Sequence, residues 1–308
     1  EQLGYPGIAN PQITISTKLS LIDGLDHKSA VKYSVSDDGS LELPEKYNGL
    51  GYQNLISMVF KLMSFRDSWM RTGKANNEID DEDEDAEKIE PIHLVLIEEP
   101  EAHLHAQVQQ VFIKQAYKVL RNHQELGDSD EYATQLIIST HSSYIVHAAE
   151  FKDLRYFKRI KPKDIKDIPI SVIVNMSDVF EKKGEMNSTE RFVVRYLKTT
   201  HCDLFFADAV ILIEGAAERI LLPKFIEKFS VLNSCYISLL EINGSHAHRL
   251  RPLIEKLGIT CLIITDLDAI CSEKNRKSVI PQRKKGQISN SATLKNWVPQ
   301  NEDIDYLL

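Results

Sequence analysis

Two stretches in the second half of the chain carry the strongest fold signal: residues 209–218 read AVILIEGAAE, and residues 262–268 read LIITDLD. Each begins with apolar residues typical of a buried strand and then reaches acidic residues. Strand-like and helix-like patterns alternate around them, which predicts an α/β fold with a central parallel sheet. The predicted strands are 209–213, 236–242 and 261–265, and the predicted helices are about 216–229 and 246–257.

Acidic side chains follow the first and last of these strands. Glu214 ends the first strand, and Glu218 lies one turn into the next helix, on the same side. Asp266 and Asp268 end the last strand. Because α/β folds place ligands at the carboxyl ends of their strands, we predict that the four carboxylates converge there.

Four converging carboxylates predict a site for divalent metal ions. They would repel one another unless cations neutralised them, and oxygen ligands favour Mg²⁺ or Mn²⁺ over Zn²⁺. Two such ions would stabilise the attacking and leaving oxygens of a phosphodiester. Glu214, Glu218, Asp266 and Asp268 are therefore the predicted metal ligands and catalytic residues. The alternative is that each acid caps a helix or a loop.

A second acidic strand end occurs in the first half of the chain, where residues 94–101 read LVLIEEPE. Glu98 is placed to hold Mg²⁺, and Glu99 is placed to orient the water that attacks a γ-phosphate. A further apolar strand is predicted at 135–139 and ends close to His141. The pattern predicts a nucleotide site at this edge of a sheet.

A glycine-containing turn precedes these strands and opens a helix. Residues 48–54 read NGLGYQN, with glycines at Gly49 and Gly51. The N-terminus of such a helix offers free N–H groups and a positive dipole end to a phosphate. We therefore expect this turn to contribute to the nucleotide site.

The acidic charge of the chain is local. The 308 residues carry a net charge of −8, and residues 72–90 hold nine acids and two lysines, which leaves −1 for the rest. We interpret this segment as a solvated loop, with a regulatory or DNA-mimicking segment as the alternative. The charge therefore does not exclude nucleic acid as a partner. A basic run over 274–285 predicts a flexible loop, with non-specific phosphate contact as an option.

The remaining composition excludes an integral membrane protein for these residues, because no apolar run approaches the ~18–20 residues that span a bilayer. The four cysteines include no C-x-x-C pair, which favours a reducing, cytoplasmic setting.

The motifs of the first half resemble the C-terminal lobe of an ABC-type ATPase of the SMC/RecF kind. NGLGYQ at 48–53 lies where the signature motif falls, LVLIEEPE matches Walker B with its catalytic acid, and residues 101–103 match the D-loop. The resemblance implies that ATP contacts Gly49, Gly51, Gln53, Glu98 and His141, that Glu99 is catalytic, and that two copies pair head to head.

One motif of that family is absent, because no G-x-x-x-x-G-K-[ST] phosphate loop occurs in the sequence. Two explanations are open: the chain is a C-terminal portion whose first lobe is missing, or the site is degenerate. We favour the first, because four downstream motifs are retained. We expect these residues alone not to bind ATP tightly.

Glu-Gly-x-x-Glu followed by Asp-x-Asp resembles the TOPRIM domain of topoisomerases, primases and nucleases. ABC motifs followed by TOPRIM on one chain resemble the OLD (overcoming lysogenisation defect) family of nucleases, which includes effectors of bacterial anti-phage systems such as Gabija and certain retrons. The resemblance implies an ATPase-linked, metal-dependent DNA endonuclease acting in anti-phage defence. The alternatives are a TOPRIM topoisomerase or primase, and a non-catalytic ABC-type DNA sensor or scaffold.

The domain prediction follows from the same motifs. We expect the ATPase portion over 1–180 with the acidic insert at 72–90, a helical connector over 181–205, and the TOPRIM domain over 206–308, incomplete at its C-terminus. The expected partners are DNA and a second copy, in a homodimer or higher homo-oligomer formed through the ATPase domains. A defence-system protein or RNA is a further partner that the family implies, and no membrane contact is expected.

Overall fold

The computed structural model divides into two compact units, Glu1–Ala148 and Ala149–Leu308. The structure describes residues 13–18, 28–34, 42–44, 47–72, 89–123, 126, 132–160, 162, 164, 168–180, 188–200, 202–242, 246–271 and 277–308. Most of the acidic run, at 73–88, lies outside the described residues, as do Lys274 and Arg276 of the basic run. Among the described helices, none is both long and apolar enough to span a bilayer. The predicted domain boundaries near residues 180 and 205 stay predictions.

The described residues of the first unit form two sheets and three helices. Its elements are β1 (Ile13–Lys18), β2 (Lys28–Ser34), β3 (Glu42–Pro44), α1 (Leu50–Trp69), β4 (Ile92–Glu98), α2 (Ala106–Arg121), β5 (Ala133–Ser139) and α3 (Ser143–Ala148). The strands β1, β2 and β3 form an antiparallel sheet, and β4 pairs in parallel with β5. The predicted helix at the glycine turn and the two predicted apolar strands are confirmed.

The core of the first unit forms where α1 and α2 pack on one face of the β4–β5 sheet. Along α2, Val108, Phe112 and Ala116 recur every four residues and are buried, because this spacing keeps side chains on one face of a helix. They join Val95 of β4 and Leu62 of α1 in a single hydrophobic cluster. This packing fixes the carboxyl end of β4 relative to the N-terminus of α1.

The second unit contains a parallel three-stranded sheet with two antiparallel pairs. Its elements are β6 (Arg155–Ile160), β7 (Ile170–Asn175), α4 (Ser188–Thr200), β8 (Ala209–Ile213), α5 (Ala216–Ile226), α6 (Ser230–Asn233), β9 (Ile237–Glu241), α7 (Arg251–Leu257), β10 (Thr260–Ile263), β11 (Ala269–Cys271), β12 (Gln287–Ser289), α8 (Ala292–Asn296) and α9 (Ile304–Leu307). The parallel sheet has the order β10-β8-β9, while β6 pairs with β7 and β11 with β12.

The predicted alternation of strands and helices is confirmed, with three corrections to its bounds. The helix expected over 216–229 is two helices, because Phe229 has an extended backbone between α5 and α6. The helix expected from residue 246 begins with a 3₁₀ turn over Ala247–Leu250. The last strand ends at Ile263 instead of Thr265, because the chain there turns towards Glu214.

The described part of the basic run lies in a loop, as predicted, and its flexibility stays a prediction. Residues 277–285 lie between β11 and β12. The Arg283 guanidinium donates to the Leu308 carbonyl oxygen, and the Lys284 N–H donates to the Asp305 carboxylate. These contacts tie the described part of the run to α9.

The strand order of the second unit decides which residues become neighbours. β8 lies between its partners and is the most buried strand of this sheet, with four of its five residues buried. Both pairings are parallel, so the carboxyl ends of all three strands meet at one edge. The residues after Ile213, Glu241 and Ile263 therefore share that edge.

Candidate nucleotide and metal sites

The β4–β5 pairing brings the predicted catalytic acid and the predicted histidine together. Glu98 lies opposite Ser139 in the parallel register, and the Glu99 N–H donates to the Ser139 carbonyl oxygen at 3.0 Å. Beyond the strand ends, His141 Nε2 lies 3.2 Å from Glu99 Oε1. Both side chains are more than half exposed, so the contact contributes little to stability. It positions two polar groups at an open sheet edge.

The backbone of Glu99 has an unusual conformation. Its φ is +43°, in the left-handed region that residues with a side chain seldom occupy and that costs of order 1–3 kcal/mol where the surroundings impose it. Strain of this kind concentrates at functional sites. The turn directs Glu99 away from the line of β4, while Glu98 remains the last residue of that strand.

Glu101 connects the two strand ends, a role the motif analysis did not predict. Its carboxylate accepts hydrogen bonds from the Thr140 hydroxyl at 2.8 Å and from the His141 N–H at 2.6 Å. It thereby fixes the backbone that presents His141. The available signal was Glu101 itself, which directly follows the Glu-Glu-Pro sequence.

The N-terminus of α1 packs against the turn that follows Glu101. A methyl group added to Gly51 would lie 2.5 Å from the His103 carbonyl oxygen, so only glycine permits this approach. The Asn54 side-chain amide donates to the Ala102 carbonyl oxygen at 2.8 Å. Gly51 is therefore a packing residue of the turn, in addition to its predicted role at the phosphate.

Two other predicted nucleotide residues lie at the start of the same helix. Gly49 is the N-cap of α1, and its carbonyl oxygen accepts from the N–H groups of Tyr52 and Gln53. The Gln53 side chain donates to the Asn48 carbonyl oxygen at 2.8 Å. The turn over residues 101–104 thus contacts both the N-terminus of α1 and the sheet edge that carries Glu99 and His141.

In the second unit, the structure brings Glu214 and Asp266 together. Glu214 Oε2 accepts from the Asp266 N–H at 2.6 Å and from the Thr265 hydroxyl at 3.1 Å. The contact exists because β8 and β10 are neighbours, with Leu212 paired to Ile263. Thr265 was not predicted as a site residue, although it directly precedes the predicted acid.

Glu218 has a local structural role. Its carboxylate accepts from the Gly215 N–H at 3.1 Å, which closes the first turn of α5. This bond is the helix cap that the alternative interpretation expected. It also holds Glu218 beside the strand end that carries Glu214.

Asp266 and Asp268 are exposed, and neither side chain is hydrogen-bonded to another residue that the structure describes. Asp268 has a φ of +46°, and its carbonyl oxygen accepts from the Asn290 N–H at 2.9 Å. Within the described ranges, no three His, Cys, Asp or Glu side chains are grouped closely enough to hold one metal ion. The four-carboxylate metal site therefore stays a prediction, with Glu214 already fixed by its hydrogen bonds.

The edge strand β9 and the helix α4 add polar groups that the motifs did not reveal. Glu241, the last residue of β9, forms an ion pair with Arg219 at 3.4 Å. Its carbonyl oxygen accepts from the Tyr196 hydroxyl at 2.8 Å. Burial, followed by the nearby negative charges of Glu241 and Asp203, raises the pKa of Tyr196. The hydroxyl therefore stays protonated and acts as a donor.

Comparison with known proteins matches a different family model to each of the two units. A family model described as an AAA ATPase domain matches residues 1–146, and one described as the TOPRIM domain of overcoming lysogenization defect-like proteins matches residues 205–268. The second match contains Glu214, Glu218, Asp266 and Asp268. The fold and these matches define a protein that joins an ATPase domain to a TOPRIM domain.

The chain is homologous to the endonuclease GajA and to the OLD nuclease. GajA of Bacillus cereus strain HuB5-5 is 28% identical over 276 residues, which cover 87% of this chain and 38% of the relative. The OLD nuclease of Thermus scotoductus is 32% identical over 132 residues, or 42% of this chain and 22% of the relative. This chain thus spans less than two fifths of either relative. Both resemblances predicted from the motifs are confirmed.

Proposed function

We propose that the full-length protein is a DNA endonuclease that depends on divalent metal ions and is controlled by ATP. The observation that carries the proposal is the bond between the Glu214 carboxylate and the Asp266 N–H. It supports a site in which carboxylates from two non-adjacent segments act on one phosphodiester. The names of the homologous relatives, an endonuclease and a nuclease, support the same activity.

The residues at this edge suit Mg²⁺ or Mn²⁺, because their side-chain donors are carboxylate oxygens. Glu214, Glu218, Asp266 and Asp268 are the proposed ligands. Bound ions would supply Lewis acidity and an activated water to phosphodiester hydrolysis. The chain itself contributes orientation: Thr265 and the Asp266 backbone hold Glu214, and the exposed side chains of Asp266 and Asp268 can rotate towards a cation.

In the first unit, we assign ATP control to the edge where β4 and β5 end. Glu98 would hold the nucleotide's magnesium, Glu99 would orient the attacking water, and His141 would contact the γ-phosphate. The contact between Glu99 and His141 and the anchoring of His141 by Glu101 support this assignment. ATP would be shared between two copies that pair through these domains, with Gly49, Gly51 and Gln53 facing the partner's nucleotide.

The cellular role we propose is anti-phage defence in the cytoplasm, where the trigger is a second protein or an RNA. All four cysteines are free thiols in the structure, which agrees with a reducing compartment. The survival of cells under phage challenge tests this role, with cells that carry the wild-type protein compared with cells that carry the Asp266→Asn protein. Equal survival of both strains under phage challenge would contradict it.

Cleavage of a supercoiled plasmid by the full-length protein tests the nuclease. We expect nicked or linear product with Mg²⁺ or Mn²⁺ and none with EDTA. Asp266→Asn should lower the rate by at least about 100-fold, because losing a group that only supports a metal ligand already costs about 10–100-fold and Asp266 is a proposed ligand. Glu255→Gln is the control, because it removes the same charge from α7, where Glu255 pairs with Arg251. Cleavage that survives both EDTA and Asp266→Asn would overturn the proposal.

ATP control is tested separately with Glu99→Gln. We expect ATP turnover to fall at least about 100-fold. The binding of Mg²⁺ to the second unit should be unchanged. The response of plasmid cleavage to added ATP should change as well. If both turnover and that response equal those of wild type, Glu99 has no part in ATP control. Nucleotide addition to a primer, in place of cleavage, would favour the primase alternative.

A further inference from the structure

An aromatic pair on α4 lies beside the carboxyl end of β9, at the sheet edge that carries the proposed nuclease residues. The rings of Phe192 and Tyr196 stack, with centroids 5.9 Å apart and planes within 12°. The Tyr196 hydroxyl donates to the carbonyl oxygen of Glu241, the last residue of β9. The aromatic pair is thereby attached to the sheet at its carboxyl end.

Arg249 lies on this aromatic pair. The centre of its guanidinium is 5.1 Å from the centroid of the Phe192 ring, a cation–π contact that favours Arg. His246 contacts the same ring, with ring centroids 6.1 Å apart and planes at 64°. Arg249 therefore has a defined position, although it belongs to a short 3₁₀ turn just after β9.

The charge of Arg249 is not neutralised by any acid in the part of the chain that the structure describes. Its neighbours differ: Arg251 pairs with Glu255 at 2.8 Å, and Arg219 pairs with Glu241 at 3.4 Å. No such carboxylate contact exists for Arg249 among the described residues. Its guanidinium donors are thus available to an anion from solution.

Contacts connect Arg249 to the proposed site. Phe192 contacts Arg249, Tyr196 contacts Phe192, and Tyr196 is bonded to Glu241. Glu241 in turn pairs with Ile213 of the neighbouring strand, and the residue after Ile213 is Glu214. Arg249 therefore follows the strand next to the one that delivers Glu214, at the same edge of the sheet.

Further positive charge lies on α4, the helix that carries the aromatic pair. Arg191 and Arg195 are both exposed and are four residues apart, so they occupy one face of α4. Each directly precedes one aromatic residue of the pair, Arg191 before Phe192 and Arg195 before Tyr196. With Lys198 and the single acid Glu190, α4 carries a net charge of +2, and a positively charged surface favours a polyanion.

We propose that Arg249, held in place by Phe192, binds a backbone phosphate of the DNA next to the phosphodiester that is cut. The proposal rests on the nuclease function proposed above. The planar guanidinium suits phosphate because it donates two parallel hydrogen bonds. Since a phosphate carries no sequence information, the contact orients the strand without selecting a base.

Binding of a duplex oligonucleotide to the full-length protein, followed by anisotropy at several salt concentrations, tests this inference. We expect Arg249→Gln to weaken binding about tenfold at low salt and to reduce the slope of log K against log salt by about 1. Arg251→Gln is the matched control, because it removes an equal charge that Glu255 already neutralises. Arg249→Lys should recover part of the affinity.

The positioning role of Phe192 is tested with two variants. Phe192→Leu retains an apolar side chain but loses the ring face, and it should weaken binding as Arg249→Gln does. Phe192→Tyr keeps the ring and should bind as wild type. Thermal unfolding of each variant shows that the fold is intact.

Different outcomes separate this inference from the proposed function. If the wild type cleaves DNA but Arg249→Gln matches Arg251→Gln in affinity and salt slope, the phosphate contact is refuted and the nuclease stands. If Phe192→Leu binds as wild type, the positioning role is refuted. If the wild type neither binds nor cleaves DNA, both proposals fail.

Discussion

Glu214 and Asp266 are joined by a hydrogen bond of 2.6 Å, from the Asp266 N–H to the Glu214 carboxylate. The two residues follow strands β8 and β10, which are adjacent in the sheet although the helices α5 and α6, the strand β9 and the helix α7 separate them in sequence. The bond fixes one oxygen of Glu214 and holds the Asp266 backbone beside it. Any chemistry at this edge therefore depends on an acid that the protein has already oriented.

Replacing Glu214 separates its structural role from its chemical role. Glu214→Gln retains one side-chain oxygen as an acceptor and should keep the free energy of unfolding within about 1 kcal/mol of wild type. Glu214→Ala leaves the Asp266 N–H and the Thr265 hydroxyl without this partner and should cost about 1–3 kcal/mol. Urea denaturation measures both variants. Equal stability of the alanine variant and wild type would show that the bond contributes nothing.

Gly51 and Gly49 provide a matched pair of substitutions on one turn. Gly51→Ala places a methyl group 2.5 Å from the His103 carbonyl oxygen, and the resulting backbone shift should cost about 1–3 kcal/mol. Gly49→Ala meets nothing within 4 Å and should change stability by less than about 1 kcal/mol. The midpoints of urea unfolding compare the two. A loss at Gly49 as large as that at Gly51 would contradict the close approach to His103.

His93 makes the stability of the first unit dependent on pH. Its ring is buried and stacks on Trp69, with centroids 4.5 Å apart, and burial lowers its pKa from the usual 6.5. The unfolded chain thus binds a proton at a higher pH than the folded chain. The stability contributed by the neutral ring is present above pH 6.5 and is lost as the pH falls from 6.5 towards the lower, folded pKa.

His93→Phe keeps a stacked ring but has no proton to bind. We expect the loss of unfolding free energy between about pH 7.5 and 5.5 to be smaller in this variant than in wild type. His147→Phe is the control, because His147 is exposed. An unchanged pH dependence in His93→Phe would show that His93 is protonated equally in both states.

The four cysteines should differ in their rate of alkylation. Burial raises the pKa of Cys261 to about 12 and that of Cys202 to about 11, whereas Cys235 and Cys271 are exposed. Because the thiolate is the reacting form, iodoacetamide at about pH 8 should label Cys235 and Cys271 at least about tenfold faster. Peptide mass spectrometry gives the rates, and urea should remove the difference. Rapid labelling of Cys261 in the folded protein would contradict its raised pKa.

Local patterns were sufficient for most elements of the fold. The apolar run at Ala209–Ile213 predicted β8, and the glycine turn at 48–54 predicted the start of α1. The split between α5 and α6 was not predictable, because the extended backbone at Phe229 interrupts an apolar pattern that continues on both sides. β6 was also missed: residues 155–160 read RYFKRI, and they form a strand through pairing with β7.

The candidate sites show the same division. The acids Glu98, Glu99, Glu214 and Asp266 were identified from their positions after apolar strands. The groups that orient them, such as Glu101 and Thr265, carry no pattern of their own. Arg249 was not identified either. Its contact with Phe192 joins two segments that are far apart in sequence, because Phe192 precedes β8 and Arg249 follows β9.

By itself the sequence determined that the protein combines ATPase motifs with a TOPRIM-like arrangement of acids, since buried strands ending in carboxylates leave a local signal. Only the tertiary structure decided that β10 lies beside β8, that Glu214 bonds Asp266, and that Arg249 rests on Phe192 with no acid paired to it among the described residues. The physical reason is that strand order and side-chain contacts result from packing between distant segments, whereas periodicity records only which face of each segment is buried.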